Sequence, residues 1–184
     1  MRTDLSKYDN SWYDPGASKL WILFWIIIST LCVRNPISVS MTLKKMILRL
    51  FGAKIGKGVW VKPGVHIKYP WRLTIGDNCW IGENVWIDNL AEVSIGSNSV
   101  LSQGSMLLCG NHNYKSSNFD LIVEKIDLED GVWIGAKSIV CGGVVCKSHS
   151  ELSVNSVATS DLNPYSIYAA VSYTHLTLPT ILLV

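Results

Sequence analysis

Residues 75–92 read IGDNCW-IGENVW-IDNLAE, three successive sixes that each open on isoleucine. Working outward, the phase holds in both directions. Before it stand IGKGVW, VKPGVH and IKYPWR from Ile55; after it come IGSNSV, LSQGSM and LLCGNH. A polar run then intervenes, and the sixes resume as LEDGVW, IGAKSI, VCGGVV, CKSHSE and LSVNSV. First positions are apolar throughout: Ile55, Val61, Ile67, Ile75, Ile81, Ile87, Ile95, Leu101 and Leu107, then Leu128, Ile134, Val140, Cys146, Leu152 and Ala158. Fifth positions are small or β-branched, as in Val59, Val65, Cys79, Val85, Ser99, Ser105, Val132 and Ser138; Trp71 and Asn111 are exceptions.

A period of six fits neither a 3.6-residue helix nor a simple alternating strand. It fits a solenoid in which three short strands make one triangular turn, with the first residue pointing inward and the fifth kept small at a tight corner. A sandwich of short strands has no reason to hold such a phase. The pairs Leu73-Thr74, Val93-Ser94 and Ile126-Asp127 open new turns, which predicts about five. The expected class is therefore all-β, a parallel β-helix over residues 55–162. A helical capping segment (1–54) precedes it and a tail (163–184) follows.

Within the first segment, Leu20 to Val33 (LWILFWIIISTLCV) is the one membrane-like run. It is shorter than the roughly 20 residues a spanning helix needs, so it reads as a buried or interfacial helix. The polar residues and Pro15-Gly16 ahead of it do not suit a signal peptide. A second helix is expected over SMTLKKMILRLFG, with Met41, Leu43, Met46, Ile47 and Leu50 on one stripe and Gly52 as its stop. Both should fold back onto Ile55–Ile67, leaving some apolar surface for a peripheral contact with the inner membrane.

The chain has 184 residues, enough for one domain with a real core, and a net charge of only +2. With no basic block, a nucleic-acid partner is not expected. Five cysteines without a CxxC pair read as reduced thiols of a cytoplasmic protein. No close histidine pair suggests a metal site, so no metal is expected.

The repeats, together with GAKIGKGV, IKYPWRLTIGDNCWIGENVWIDN, GNHNY, GVWIGAKSIV and NPYSIY, resemble the hexapeptide-repeat acyltransferases. Among these the likeness is to acetyltransferases of colanic-acid and exopolysaccharide biosynthesis, and it covers about residues 10–169. The resemblance implies a left-handed β-helix assembled as a homotrimer, with acetyl-CoA as co-substrate in a groove between subunits. It also implies an O-acetyltransferase acting on a hydroxyl of a sugar or a lipid-linked precursor. The other reading is a catalytically inactive trimeric scaffold, to which the exposed tryptophans expected at Trp60, Trp80 and Trp86 would also be suited.

His112 ends the hexad LLCGNH where the phase breaks, flanked by Asn111 and Asn113, so its side chain should face a wet groove. From the residues alone it is either a solvated loop histidine or a base. Imidazole suits base chemistry because its ordinary pKa, about 6.5, lies near working pH. The family carries its catalytic histidine in this loop, which places that role on His112. By the same resemblance the pantetheine arm lies along Gly135 and Ala136, with Thr159 near its far end. Asn84 and Asn111 are the expected acceptor contacts. His66 and His149 read as a solvent-facing and a corner residue. Ser160 stands where the family commonly has lysine, and from Ala170 the sequence loses the hexads and the basic finish of its relatives.

Overall fold

The structure, a computed structural model, describes residues 3–36 and 40–169. The expectations for the tail from Ala170 onward lie outside the described residues. The sixes form the edges of a triangular prism, a left-handed parallel β-helix. Face one stacks Lys54–Ile55, Leu73–Ile75, Val93–Ile95, Ile126–Leu128 and Val145–Cys146. Face two stacks Trp60–Val61, Trp80–Ile81, Val100–Leu101, Trp133–Ile134, Glu151–Leu152 and Ile167–Tyr168. Face three stacks His66–Ile67, Trp86–Asp88, Met106–Leu108, Ile139–Cys141 and Val157–Ala158. Five turns are complete. A sixth is begun by a bridge from Leu162 to Cys146 and by the strand Ile167–Tyr168, past the expected boundary at residue 162.

Register turns the sequence phase into packing. Ile55 lies beside Ile75, then Ile95, Leu128 and Cys146; Ile67 is followed by Ile87, Leu107, Val140 and Ala158. All of these are buried. The small fifth positions, including Ser99, Ser105, Ser138, Ser150 and Ser156, are buried beside them. The fourth position makes the corner. Asn78, Asn84, Asn98, Lys137, His149 and Asn155 all sit at φ between 56° and 58°. Left-handed backbone costs an ordinary residue about 1–2 kcal/mol, and asparagine tolerates it best.

Two helices cover the first turn. The first, α1 (Lys19–Ile28), starts at Ser18, whose side chain accepts from Trp21 N, and runs on as a π-helical turn, Ser29–Val33. Trp25 is buried and its Nε1 donates to Ile67 O at 3.1 Å. The second, α2 (Met41–Leu50), ends at Phe51, whose ring packs against Trp21 and Trp25. The expected cap forms and shields a raw strand edge. Its second stripe is a correction: Leu43, Met46 and Leu50 are exposed, and the face that α2 buries is Lys44 and Leu48. A long lysine stem can cover apolar surface provided its head finds a partner, and Lys44 Nζ donates to Lys62 O.

Candidate active site

The edge between faces three and one is built differently from the other two. There the first turn carries a 3-10 segment, Pro70–Arg72. In the second turn the buried Asn89 accepts from Tyr69 N at 2.9 Å and donates to Tyr69 O at 2.6 Å, tying the two turns together. In the third turn the polar excursion leaves as a hairpin. Gly110–His112 pairs antiparallel with Leu121–Val123, setting His112 opposite Leu121. The polar run is thus a hairpin and not the open loop expected from its composition. The β-branched pair at Ile122 and Val123 was the signal for its return strand.

His112 is half-buried and its ring lies flat on Phe119, centroids 4.3 Å apart and planes 7° apart. Its Nδ1 is 2.9 Å from Phe119 O. A carbonyl oxygen can only accept, so Nδ1 carries the proton and Nε2 is left with its lone pair. Phe119 reaches this position with φ 56°, a left-handed backbone that phenylalanine rarely adopts. On another side Tyr8 stands 5.6 Å from the imidazole, tilted by 56°. Asn111 is exposed, and its Oδ1 accepts from His112 N at 2.8 Å.

Tyr8 belongs to an N-terminal strap that crosses this edge before α1 begins. Asp4 N donates to Ser117 O at 2.8 Å, at the tip of the hairpin. Further along the strap, Tyr13 OH donates to Leu90 O at 2.7 Å and accepts from Arg72 Nη1 at 3.0 Å. Trp71 Nε1 donates to Pro15 O at 2.8 Å. Burial pushes the Tyr13 hydroxyl up to about 12, so the phenol stays neutral. Strap, hairpin and corner line an open groove of about 390 Å³ that includes His112, Tyr8, Asn10 and Tyr13. Its floor holds the ion pair Lys68–Asp88, at 2.9 Å. The strap departs from the expectation that residues 1–54 form only a helical cap, since its contacts leave no periodic trace in the sequence.

The remaining expected site residues sit elsewhere on the prism. Asn84 is a left-handed corner between faces two and three; a Cβ on Gly64, one turn back, would come within 2.1 Å of its Oδ1. That side chain therefore occupies the space the glycine leaves open. Gly135 and Ala136 lie on the same edge two turns on. Gly135 N donates to Leu152 O and Ala136 O accepts from Asn155 N, so both are engaged by the next turn. A Cβ at Gly135 would meet Val154 N at 2.6 Å, which explains the glycine by turn stacking. Thr159 shares the edge of His112 but in the fifth turn, where it is exposed beside Ser160 and Tyr168 in a hollow of about 330 Å³. One chain thus brings Asn111 to His112, and leaves Asn84, Gly135 and Ala136 on another edge.

A larger groove, about 620 Å³, runs along face two past Trp60, Trp80 and Trp133, away from the histidine edge. His66 stacks on Trp86 at 5.5 Å rather than standing free in solvent, and burial lowers its pKa. His149 is a corner residue, as expected, and stacks on Tyr165 at 5.0 Å. Among the described residues, no group of three His, Cys, Asp or Glu side chains is placed to hold a metal ion.

A prism of stacked hexapeptides with one histidine held on a hairpin at its edge defines the class as hexapeptide-repeat proteins. No protein-family model matches the chain. It is 39% identical over 122 residues to WcaF of Escherichia coli (strain K12), whose name assigns it to colanic acid biosynthesis as an acetyltransferase; the match spans 66% of each chain. It is 26% identical over 131 residues to the galactoside O-acetyltransferase of the same organism, covering 70% of this chain and 64% of that one. In structure it is similar to a hexapeptide-repeat-containing acetyltransferase from Vibrio cholerae O1 biovar eltor complexed with acetyl coenzyme A. The TM-score is 0.74 at 23% identity, over 84% of this chain and 86% of that one. The chain belongs to the hexapeptide-repeat acyltransferase family.

Proposed function

We propose that the protein is an acetyl-CoA-dependent O-acetyltransferase that modifies a sugar hydroxyl in surface-polysaccharide biosynthesis. The observation that carries this reading is the His112 imidazole, whose Nδ1 is engaged by Phe119 O and whose Nε2 keeps its lone pair. Nε2 takes the proton of the acceptor hydroxyl as that oxygen attacks the thioester carbonyl. The tetrahedral species collapses, the C–S bond breaks, and the proton passes from the imidazolium to the departing coenzyme A sulfur. No acyl-enzyme is formed. The names of the relatives support the acetyl group and the polysaccharide setting, and the acetyl coenzyme A complex of the V. cholerae protein supports the donor.

On the acceptor side, the aromatic rings and polar tips of Tyr8, Asn10 and Tyr13 form a site of the kind that holds a small polar ligand. We place the pantetheine against Gly135 and Ala136 of a neighbouring copy, with Thr159 near its end. Gly135 and Ala136 lie on a different edge from His112, and a closed homotrimer lets two edges meet. The test is transfer itself. The purified protein is incubated with acetyl-CoA and a panel of sugars and polysaccharide fragments, with mass spectrometry for acetyl esters and thiol release for turnover. Ester formation that His112→Ala lowers at least about 100-fold is expected. Acetylation unaffected by that substitution refutes His112 as base. No transfer to any sugar, with acetyl-CoA unbound, favours a scaffold.

A further inference from the structure

The small net charge conceals a polarity along the prism. Between Asp14 and Asp77 the sequence has ten Lys and Arg and not one Asp or Glu; from residue 77 to the end it has four Lys and Arg against eleven Asp and Glu. The first stretch supplies both helices and the first turn of the solenoid. Lys44 is buried and Lys68 is paired with Asp88, and the other eight still leave positive charge concentrated at the helical end of the molecule.

That same end exposes several large apolar side chains of the helices. In α1, Leu20, Leu23, Phe24 and Ile27 fall at the i, i+3, i+4 and i+7 spacing of one helical face, and Leu31 carries the stripe on. They are between 48% and 80% exposed, while Trp25, Ser29 and Val33 on the opposite side are buried. Exposed Lys19 and Arg34 bracket the stripe, which is about 17 Å long at a helical rise. Met46 and Leu50 of α2 are exposed at this end too. Among the described residues, no helix is long and apolar enough to cross a membrane.

From this we infer that the helical end is a docking surface for an anionic lipid bilayer. Helix α1 lies in the plane of the interface with its leucine stripe at the acyl boundary, and the surrounding lysines and arginines meet the headgroups. The charge distribution decides against the rival occupant, a second copy of the chain. Pairing this stripe with its own copy would bring two positive ends together. The docking does not depend on the acetyltransferase reading. If both hold, His112 in the third turn stands two strand spacings, about 10 Å, above the first turn. A lipid-linked acceptor is then within reach of the site without leaving the bilayer.

The test is sedimentation of the full chain with vesicles of phosphatidylglycerol and phosphatidylcholine, against phosphatidylcholine alone. Partitioning onto the anionic vesicles should be at least about tenfold stronger and should weaken as salt rises. Leu20→Gln, Leu23→Gln, Ile27→Gln and Leu31→Gln combined should abolish binding at unchanged circular dichroism and molar mass. Lys19→Glu with Arg34→Glu should weaken it on anionic vesicles alone. A wild-type protein that stays in the supernatant overturns the proposal, as does equal binding to neutral vesicles. A combined variant that still binds, or whose molar mass falls because the stripe joins copies, overturns it as well.

Discussion

Phe119 holds His112 by two separate means, and substitutions can take them apart. The ring supplies a stacked face at 4.3 Å, and the main-chain carbonyl accepts from Nδ1 at 2.9 Å. Phe119→Ala removes only the ring. A stacked aromatic pair contributes about 0.5–1.5 kcal/mol beyond its area. If all of that orients the imidazole, kcat falls about 2- to 13-fold at roughly tenfold per 1.4 kcal/mol, with the KM for acetyl-CoA unchanged. This is far less than the loss of about 100-fold or more expected for His112→Ala, because the carbonyl still fixes the tautomer. Phe119→Gly should cost the same turnover but leave a more stable fold than Phe119→Ala, by about 0.5–1 kcal/mol in urea denaturation. Glycine accepts φ 56° without the left-handed cost, although it loses more entropy on folding. Turnover is read by thiol release, and nitrogen NMR of the His112 ring reads the tautomer directly. The deciding measurement is a double substitution: in a His112→Ala background, Phe119→Ala should change nothing further. An equal fall in both backgrounds, or a rise in KM at constant kcat, refutes the positioning role.

Lys44→Met should raise stability by about 1–2 kcal/mol near neutral pH, since it replaces a buried cation with one long hydrogen bond by an apolar stem. Burial lowers the Lys44 pKa below its ordinary 10.5, so the wild-type penalty is full below the folded pKa. It fades as pH rises toward 10.5, and the gap between variant and wild type in urea melts should narrow over that window. Leu107→Ala removes a fully buried side chain between Ile87 and Val140 and should cost about 2–5 kcal/mol, with the hairpin still formed by circular dichroism. Asn84→Gly keeps the φ of 56° and should leave stability within about 1 kcal/mol and the acceptor KM unchanged; a raised KM would restore Asn84 to the acceptor site. Light scattering should give the mass of three chains, and an active monomer would contradict the shared site.

The core was legible because each inward position recurs in register. Ile75 predicts Ile95 beside it as surely as a heptad predicts its partner, and the parallel ladder bears this out. The helices were legible by length and apolar content, but which face of α2 turns inward was not. Hydrophobicity put Leu43, Met46 and Leu50 inside, whereas the fit to the first turn buries Lys44 and Leu48. His112 stood out as the break in a period. Its surroundings did not, because Tyr8 reaches it across more than a hundred residues and Phe119 by an unusual backbone angle, and neither leaves a periodic trace.

The fourth hexad position shows how one constraint can masquerade as another. An exposed asparagine near the expected sugar-binding position looks like an acceptor contact, yet Asn78, Asn84, Asn98 and Asn155 share a left-handed φ of 56–58° at equivalent corners. Asn78 and Asn84 lie over Gly58 and Gly64, whose missing side chains make the room. A residue type that the backbone itself favours at a repeated corner carries little information about a ligand. The residues that do carry it are those the solenoid does not require. The strap tyrosines, the Lys68–Asp88 pair and the stacked Phe119 all gather on the one edge where the repeat is lengthened. A stable prism keeps its two ordinary edges tight, so chemistry collects where the extra residues leave the stack, and His112 is held at that place.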